Sequence, residues 1–371
     1  MEDNTKENPE ESKQENSNNE TNNPNAPKSA IPETPVTPPM PPTPELSTTS
    51  FGNQYVDVSL VYDSVEKIKD EVAKVVIGQD QLIEFLLAGL FTNGHCLIEG
   101  LPGIAKTLTA KLLAKTINSK YSRIQFTPDL MPTDVTGTSV FNIKESEFYF
   151  REGPIFASIV LIDEINRAPA KTQASLMEVM EEHQLTYDGA TYPMTYPFFV
   201  IATQNPIEQE GTYQLPEAQL DRFVFKLKLG YPNLQDERKI LELFKEDFDN
   251  KKADEIKAIL SSEEIKKCHE IIQKVHIEPS LLDYIAEIIH NTRNNGNLYL
   301  GASPRASLAI MKTSKAIAAI RGRDFVVPDD IQEVCYPVLN HRVILSHERE
   351  MEGTSVEEII KQILLHIKVP N

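Results

Sequence analysis

The sequence of 371 residues is poor in cysteine, in long apolar runs and in basic residues, and each shortage excludes some classes of protein. Its three cysteines, Cys96, Cys268 and Cys335, are too far apart for a metal motif or a disulfide framework, so we expect buried apolar residues in a reducing compartment. The longest apolar runs, such as residues 159–162, are far too short to cross a bilayer. The acidic N-terminus lacks the apolar stretch of a signal peptide. We therefore expect a cytoplasmic protein with no membrane span.

Basic residues are outnumbered by acidic ones, and the formal net charge is −18. Residues 1–50 contribute −6 of this through nine acidic residues and three lysines, which leaves −12 on the rest of the chain. Because a negative body repels a polyanion unless it carries a basic stripe, nucleic acid is disfavoured as a partner.

Composition divides the chain into three parts. Residues 1–50 hold ten of the 25 prolines and few apolar residues, which predicts a disordered Pro/Asn/Glu-rich tail. Its Pro-rich stretch, residues 38–44, suits either a recognition segment or a solvated spacer. Residues 60–232 alternate strand-like runs with helical periodicities, which predicts an α/β domain with a mostly parallel sheet. Residues 233–371 show helical periodicities alone and predict a separate all-α domain.

The individual elements follow from apolar periodicity and helix-end residues. Strands are predicted at 95–99, 122–126, 158–162 and 198–203. Helices are predicted at 64–73, 79–92, 108–117, 236–248, 262–275, 279–291, 304–321, 328–340 and 355–367. Ligands of parallel sheets bind at the carboxyl ends of the strands.

Residues 100–107, called here the phosphate loop, read Gly-Leu-Pro-Gly-Ile-Ala-Lys-Thr between a predicted strand and a predicted helix. A phosphate site of this kind needs a tight turn, a lysine for the outer phosphates and a hydroxyl for Mg²⁺, which Gly100, Lys106 and Thr107 supply. Ala105 stands where a glycine is usual, and it fits if its backbone lies near the right-handed helical region. The alternative is a Gly-Pro turn with a chance lysine.

Asp163 and Glu164, called here the acid pair, directly follow the apolar run 159–162. This order predicts a buried strand whose tip emerges at the phosphates, with Asp163 holding the metal and Glu164 activating the attacking water. Taken alone, the same order also suits a charge pair at a helix N-terminus. Its position about sixty residues after a phosphate loop favours the catalytic interpretation.

Three further polar residues stand at positions that suit a nucleotide site. Asn205 ends the next apolar strand and could bind the γ-phosphate or the attacking water, or could be a turn residue before Pro206. Arg222 could reach a nucleotide or form a buried salt bridge. Arg305 lies in the first turn of a helix, where a cation opposes the helix dipole, so we expect an anionic partner for it. A surface arginine beside nearby acids is the alternative.

Six segments, in order and at the expected spacing, closely resemble the MoxR family of AAA+ ATPases. They are residues 100–107, 126–132, 163–169, 202–206, 215–223 and 301–306. The resemblance runs from about residue 60 to the C-terminus, and alanine at position 105 is usual in that family.

The resemblance implies a P-loop AAA+ core, an all-α helical lid and a homo-oligomeric ring, usually a hexamer, that hydrolyses ATP with Mg²⁺. It implies ATP binding by Gly100, Pro102, Gly103, Ile104, Ala105, Lys106, Thr107 and Leu108. Thr107 and Asp163 would bind the metal. Glu164 and Asn205 would act in the hydrolysis, and Arg222 would contact the nucleotide of a neighbouring subunit. Arg305 resembles sensor 2, which acts within its own subunit or across the interface.

The resemblance also implies a protein client to be remodelled or activated, often one with a von Willebrand A domain. Residues 137–150 and 185–196 resemble hairpin insertions, the second with Asp188-Gly189 at its turn, that could face a pore or a client or be plain surface hairpins. A nucleic-acid motor and a nucleotide-gated scaffold with little turnover are the alternatives. The acidic first hairpin argues against the motor, and the intact acid pair argues against the scaffold.

Overall fold

The computed structural model of the protein describes residues 55–206, 212–245 and 251–370. The predicted tail, residues 1–50, lies outside these ranges. The strands are β1 (His95–Gly100), β2 (Ile117–Asn118), β3 (Tyr121–Gln125), β4 (Gly137–Asn142), β5 (Glu147–Glu152), β6 (Ile159–Asp163), β7 (Gln184–Tyr187), β8 (Ala190–Pro193), β9 (Phe199–Gln204), β10 (Phe223–Leu229), β11 (Leu260–Ser261), β12 (Leu298–Leu300) and β13 (Ile344–Leu345). The helices are α1 (Ser59–Ala73), α2 (Asp80–Phe91), α3 (Lys106–Thr116), α4 (Pro132–Thr136), α5 (Ala170–Glu182), α6 (Glu217–Leu220), α7 (Leu234–Phe244), α8 (Ser262–Lys274), α9 (Pro279–Arg293), α10 (Pro304–Ile320), α11 (Pro328–Leu339), α12 (His347–Met351) and α13 (Val356–His366).

One parallel sheet of five strands, in the order β10-β1-β9-β6-β3, carries the phosphate loop and the acid pair. This confirms the predicted α/β core. The phosphate loop follows β1 and the acid pair lies at the end of β6, so both are at the carboxyl edge of the sheet. Strand β10 is missing from the sequence prediction, although the order Phe-Val-Phe-Lys-Leu-Lys-Leu has the alternation of a strand.

Alternate side chains of the sheet pack into two apolar cores, one on each face. On one face, residues such as Ile98, Ile201 and Phe225 share a continuous core with α1 to α3 and with the C-terminal helices α8 to α11 and α13. On the other face, Leu97 and Val200 pack with α5. Helix α5 was not predicted, although its buried residues recur at helical spacing.

The C-terminal part confirms the predicted helices to within a few residues. The predicted helical lid is confirmed, with two short strand pairs that were not predicted: β11 pairs with β2 of the core, and β12 pairs with β13. Strands of two or three residues are too short to produce a periodic signal. The boundary between 232 and 233 stays a prediction, because one apolar core joins helices on both sides of it.

The described residues include all three cysteines. Within the described ranges, Cys96, Cys268 and Cys335 are free and buried, as predicted. No helix there is long and apolar enough to span a membrane.

His95 is buried at the first residue of β1 and is held at both ring nitrogens. Its Nδ1 accepts a hydrogen bond from the Val200 N–H, so Nε2 carries the proton and donates to the Met180 carbonyl, each at 3.1 Å. Burial disfavours the charged ring and lowers the pKa of His95 from 6.5 to about 4. The unfolded chain therefore binds this proton more tightly than the folded chain does.

We expect the stability that His95 contributes to be complete above pH 6.5 and to be lost as the pH falls towards 4. The full loss is about 3 kcal/mol. The His95→Gln variant keeps a donor and an acceptor but does not titrate, so its free energy of unfolding should fall less between pH 7 and pH 4.5. Denaturant unfolding at several pH values measures this, with exposed His347→Gln as the control. Parallel losses in all three proteins would contradict the assignment.

Candidate functional site

The phosphate loop turns sharply between β1 and α3, and Gly100 is required by close packing. A Cβ at Gly100 would lie 2.6 Å from Ile104 Cδ1 and 2.9 Å from the Leu229 carbonyl oxygen. Gly103 has a φ of +84°, a conformation that favours glycine. The Gln79 side chain supports the loop by donating to the Ile104 carbonyl at 2.8 Å.

Ala105 corrects one expectation from the sequence. Its backbone is left-handed, with φ 63° and ψ 20°, and not near the right-handed helical region. A non-glycine residue in this conformation costs on the order of 1–2 kcal/mol. Lys106 and Thr107 nevertheless begin α3 directly after it, so the lysine and threonine keep their positions at the helix N-terminus.

Lys106 and Thr107 lie at the carboxyl edge of the sheet beside the acid pair. The Lys106 ammonium donates to the Gly100 carbonyl and, at 3.1 Å, to the Gln204 carbonyl at the end of β9. The Thr107 hydroxyl donates to Asp163 Oδ1 at 2.8 Å. The structure therefore joins the hydroxyl to the first acid and places the lysine at the same edge of the sheet.

Asp163 is buried and is fixed by three donors. Besides Thr107, the Thr203 hydroxyl donates to Oδ1 at 3.2 Å and Arg123 Nε donates to Oδ2 at 2.7 Å. The hydrogen bond to Asp163 raises the pKa of the Arg123 guanidinium above its usual value, so this residue stays charged. Arg123 was not predicted, and only the pairing of β3 with β6 brings it to Asp163.

Glu164 projects from the end of β6 with a left-handed backbone, φ 57°. One carboxylate oxygen accepts from Gln125 Nε2 at 2.7 Å and lies 3.2 Å from Arg167 Nε. Glu164 is held by its backbone as well, since its N–H donates to the Thr203 hydroxyl at 3.0 Å. Gln125 is a second site residue that the sequence analysis missed.

Asn205 follows β9, the strand that lies between β1 and β6 in the sheet. It is buried, and its position at the carboxyl edge places it between the phosphate loop and the acid pair. The structure therefore brings together five of the predicted residues: Lys106, Thr107, Asp163, Glu164 and Asn205.

A cavity of about 600 Å³ adjoins the phosphate loop and suits a flat heterocyclic base. Its walls come from residues 75–79, from the loop at 102–105, from Leu108, from residues 229–232 after β10 and from α7. Most of these side chains are apolar. The loop residues and Leu108 were predicted from the sequence to lie at the site, whereas the residues before α2 and after β10 were not.

Arg222 and Arg305, called here the arginine pair, lie at the opposite edge of the sheet. Arg222 precedes Phe223, which pairs with His95 at the start of β1, whereas the phosphate loop leaves from the end of β1. The length of β1 separates the two edges by roughly 17 Å. The arginine pair is therefore remote from the phosphate loop of its own chain.

Glu181, near the end of α5, binds both members of the arginine pair. Its Oε2 is 2.6 Å from Arg222 Nη2, and its Oε1 is 2.5 Å from Arg305 Nη2. Burial raises the pKa of Glu181, but the two arginine charges outweigh this and leave the pKa below its usual value. Arg305 thus has the anionic partner that its place in a first helical turn called for, and Glu181 had not been predicted.

Both predicted hairpins are present and are packed together. Strands β4 and β5 form the first, and β7 and β8 form the second, with Asp188 and Gly189 at positive φ in its turn. The rings of Phe150 and Tyr192 stack across the two hairpins with centroids 4.4 Å apart. Large apolar side chains of the first hairpin are exposed, namely Phe141, Ile143, Phe148 and Tyr149.

Two family models match the sequence in the same two regions. One, described as "ATPase family associated with various cellular activities (AAA)", matches residues 95–225. The other, described as "AAA lid domain", matches residues 290–363. These matches cover the sheet with its phosphate loop and most of the C-terminal helices.

Among curated proteins, the chain is 42% identical to "Chaperone MoxR1" of Mycobacterium tuberculosis over 83% of this chain and 82% of that protein. The chain belongs to the MoxR family of AAA+ ATPases. It is also 44% identical to "Uncharacterized protein YeaC" of Bacillus subtilis, over 82% of this chain and 94% of that protein. It is 28% identical to "Protein MoxR" of Methylorubrum extorquens, over 83% of this chain and 96% of that protein.

A solved structure agrees with this MoxR-family assignment. A putative ATPase from Cytophaga hutchinsonii superposes with a TM-score of 0.78 at 42% identity, over 85% of this chain and 97% of that chain. As an AAA+ ATPase, this MoxR-family chain has a nucleotide-binding α/β core followed by a helical lid.

Proposed function

We propose that this MoxR-family ATPase hydrolyses ATP to ADP and phosphate with Mg²⁺ in a homo-oligomeric ring, a hexamer, and uses the hydrolysis to remodel or activate a separate protein. One observation carries the proposal. The phosphate loop and acid pair lie at one edge of the sheet and the arginine pair lies at the other. Each chain thus carries the phosphate-binding part of the site at one edge of the sheet and the arginine pair at the other. The arginine pair of a neighbouring copy would complete the site.

Within its own chain, the proposed ATP site runs from the phosphate loop to the adjoining cavity. The amides of the loop and of the α3 N-terminus would surround the phosphates, with the Lys106 ammonium on the outer ones. The apolar cavity of about 600 Å³ would take the base. ATP phosphates would replace the carbonyl partners of Lys106 with charged ones.

Thr107 and Asp163 fit Mg²⁺ as its protein ligands. A hydroxyl and a carboxylate oxygen 2.8 Å apart are hard donors, and Mg²⁺ in nucleotide sites takes one or two such groups and completes its shell with water and phosphate. The described residues hold no group of three acidic, histidine or cysteine side chains that could bind a metal alone. When bound, the ion neutralises charge on the outer phosphates.

Glu164 is the proposed base for the attacking water, and Asn205 is proposed to orient that water or the γ-phosphate. The Gln125 amide binds one carboxylate oxygen of Glu164 at 2.7 Å and so fixes the direction in which the other oxygen points. The assignment of both roles rests on the position of these residues beside Thr107 and Asp163.

The arginine pair is proposed to act on the nucleotide of the neighbouring subunit, Arg222 as the finger and Arg305 as sensor 2. The side-by-side position of the two guanidinium groups on Glu181 supports a common destination. Arg222 Nε is also buried without a hydrogen-bond partner among the described residues. A buried donor of this kind gains free energy when an acceptor arrives.

The proposed client is a separate protein of the von Willebrand A-domain class, and this class rests on the family resemblance alone. Exposed apolar side chains on the first hairpin, including Ile143 at 84% and Phe148 at 72%, support a protein client. The hairpin carries two basic and three acidic residues, which disfavours a phosphate backbone. The free thiols suit the cytoplasm as the compartment.

The assembly proposal is tested by measuring phosphate release per chain over a range of protein concentrations, with mass determined by light scattering at each. We expect activity per chain to rise with assembly and to vanish with EDTA. The affinity for a fluorescent nucleotide should be the same at all protein concentrations, since each chain holds all the residues that are proposed to bind ATP. Full turnover by monomers would overturn the assembly proposal, and turnover in EDTA would overturn the metal.

The client proposal is tested with the Glu164→Gln chain, immobilised with ATP and Mg²⁺ and exposed to purified von Willebrand A-domain proteins encoded by the same organism. A true client should bind in ATP and dissociate in ADP. The Lys106→Ala chain, which lacks the phosphate-binding ammonium, serves as the control and should not bind. Equal binding by both chains, or no binding by either, would count against the proposed client class.

A further inference from the structure

Arg342 lies three residues beyond the end of α11, and its side chain is only 3% exposed. Its guanidinium group makes five hydrogen bonds, four of them to the residues at the start of β10. Nε donates to Asp221 Oδ1 at 2.7 Å, and Nη1 donates to the Val224 carbonyl at 3.2 Å and to the Val338 carbonyl at 2.6 Å. An arginine bound at every nitrogen has little freedom to change its rotamer.

The two remaining hydrogen bonds of Arg342 lie on either side of Arg222. Nη2 donates to the Asp221 carbonyl at 3.0 Å and to the Phe223 carbonyl at 2.6 Å. One nitrogen thereby binds the peptide unit directly before Arg222 and the peptide unit that follows Phe223. The backbone from which the Arg222 side chain departs is thus held by a residue 120 positions away.

Asp221 extends the same contacts to Arg305. Its Oδ1 binds Arg342, while its Oδ2 is 3.7 Å from Arg305 Nη1 and 3.4 Å from the Ser303 hydroxyl, which donates to it. Ser303 directly precedes α10, the helix whose first turn carries Arg305. Arg342 is therefore linked to Arg305 through the Asp221 carboxylate and to Arg222 through the carbonyls of its two chain neighbours.

Strand β10 needs such support because it is an edge strand of the sheet. Its outward carbonyls have no neighbouring strand, and three consecutive residues supply donors instead. The Asn340 amide binds the Lys226 carbonyl at 2.9 Å, and His341 Nε2 and Arg342 bind the Phe223 carbonyl. These donors satisfy carbonyls at the edge of the sheet that no neighbouring strand can bind.

We propose that Arg342 is a positioning residue for the arginine pair: it holds Arg222 and Arg305 in the arrangement in which they reach a neighbouring subunit's nucleotide. This rests on the proposed function, in which the pair acts in trans. A misplacement of about 1 Å at a reacting centre can cost about 100-fold in rate, so the loss of these hydrogen bonds has a kinetic consequence. The residue itself touches no nucleotide.

The test is the Arg342→Lys chain, which keeps a charge beside Asp221 but has three donors on one nitrogen and so cannot make all five hydrogen bonds of the guanidinium. We expect unchanged affinity for ATP, an unchanged KM and a kcat lower by about 100-fold. Mixed with Lys106→Ala chains, which keep an intact arginine pair, Arg342→Lys chains should regain part of the turnover.

Arg323→Lys is the matched control, because Arg323 binds Asp330 through two hydrogen bonds of 2.8 and 2.7 Å in the same helical part but does not contact the arginine pair. It should keep its kcat. Full turnover by Arg342→Lys, or no recovery in a mixture where Arg222→Ala recovers, would overturn the proposal. Failure of Arg222→Ala to recover would instead overturn the trans role on which it rests.

If Arg342→Lys does not fold, the Asp221→Asn chain is the second variant, since it removes only the charge that links Arg342 to Arg305. The same low kcat with recovery in mixtures is expected. Unfolding of both variants would overturn the proposal, because the cluster would then serve stability alone.

Discussion

Replacing Arg222 with alanine is expected to lower ATP turnover by about 10³-fold or more while leaving the affinity for ATP unchanged. The reason is spatial, because Arg222 lies at the amino edge of the sheet and the ATP site of its own chain lies at the carboxyl edge. The charge that develops on the transferred phosphoryl group would lose its guanidinium partner, while the binding half of the site stays complete. Phosphate release and fluorescent nucleotide binding measure the two effects.

A mixture separates action in trans from action within the chain. Arg222→Ala subunits have an intact phosphate loop, and Lys106→Ala subunits have an intact arginine pair, so each alone is inactive but some mixed interfaces hold both halves. Activity should therefore appear on mixing and pass through a maximum with the ratio. Arg349→Ala removes another arginine that is ion-paired to a carboxylate, Glu352, and should change nothing. Inactivity at every ratio would contradict the trans role.

The Glu164→Gln chain is expected to bind ATP and to assemble but to turn over about 10²- to 10⁴-fold more slowly. Glutamine has the same shape and still offers an oxygen to the Gln125 amide, so the site geometry is kept. It cannot take a proton from water. Single-turnover hydrolysis and retention of ATP on a size-exclusion column measure the effect.

Exposed Glu178 on α5 offers the matched control for this substitution, because Glu178→Gln makes the same chemical change at a distance from the acid pair. It should leave turnover unchanged. Near wild-type turnover by Glu164→Gln would show that another group activates the water.

Sequence alone was sufficient for the parts of the site that are local in the chain. The phosphate loop is one continuous segment whose residue types are dictated by phosphate chemistry, and the acid pair follows one apolar run. Their meeting was predictable, because parallel strands bring their carboxyl ends to one edge. Four strands of the five-stranded sheet and the helical lid followed from the same periodicities, whereas β10 did not.

The rest depends on contacts that no local pattern contains. Glu181 and Arg305 are 124 residues apart, and they meet because α5 returns to the amino edge of the sheet. Gln125 and Arg123 reach the acid pair only through the pairing of β3 with β6. The left-handed backbone of Ala105 was not predicted for another reason. The dihedral angles of this residue are set by the closure of the loop and not by the residue type.

The apolar core that α2 shares with α10 determines how the chain can move. In many nucleotide-binding proteins, a helical lid turns on a hinge and closes over the ligand, but such a hinge needs a weak interface. Here, turning the C-terminal helices away from the sheet would expose residues such as Leu86 and Ile317 to water, at about 25 cal/mol for each Å². In the proposed ring, closure around ATP would therefore be a rotation of whole subunits against one another, with the flexible joint between the chains.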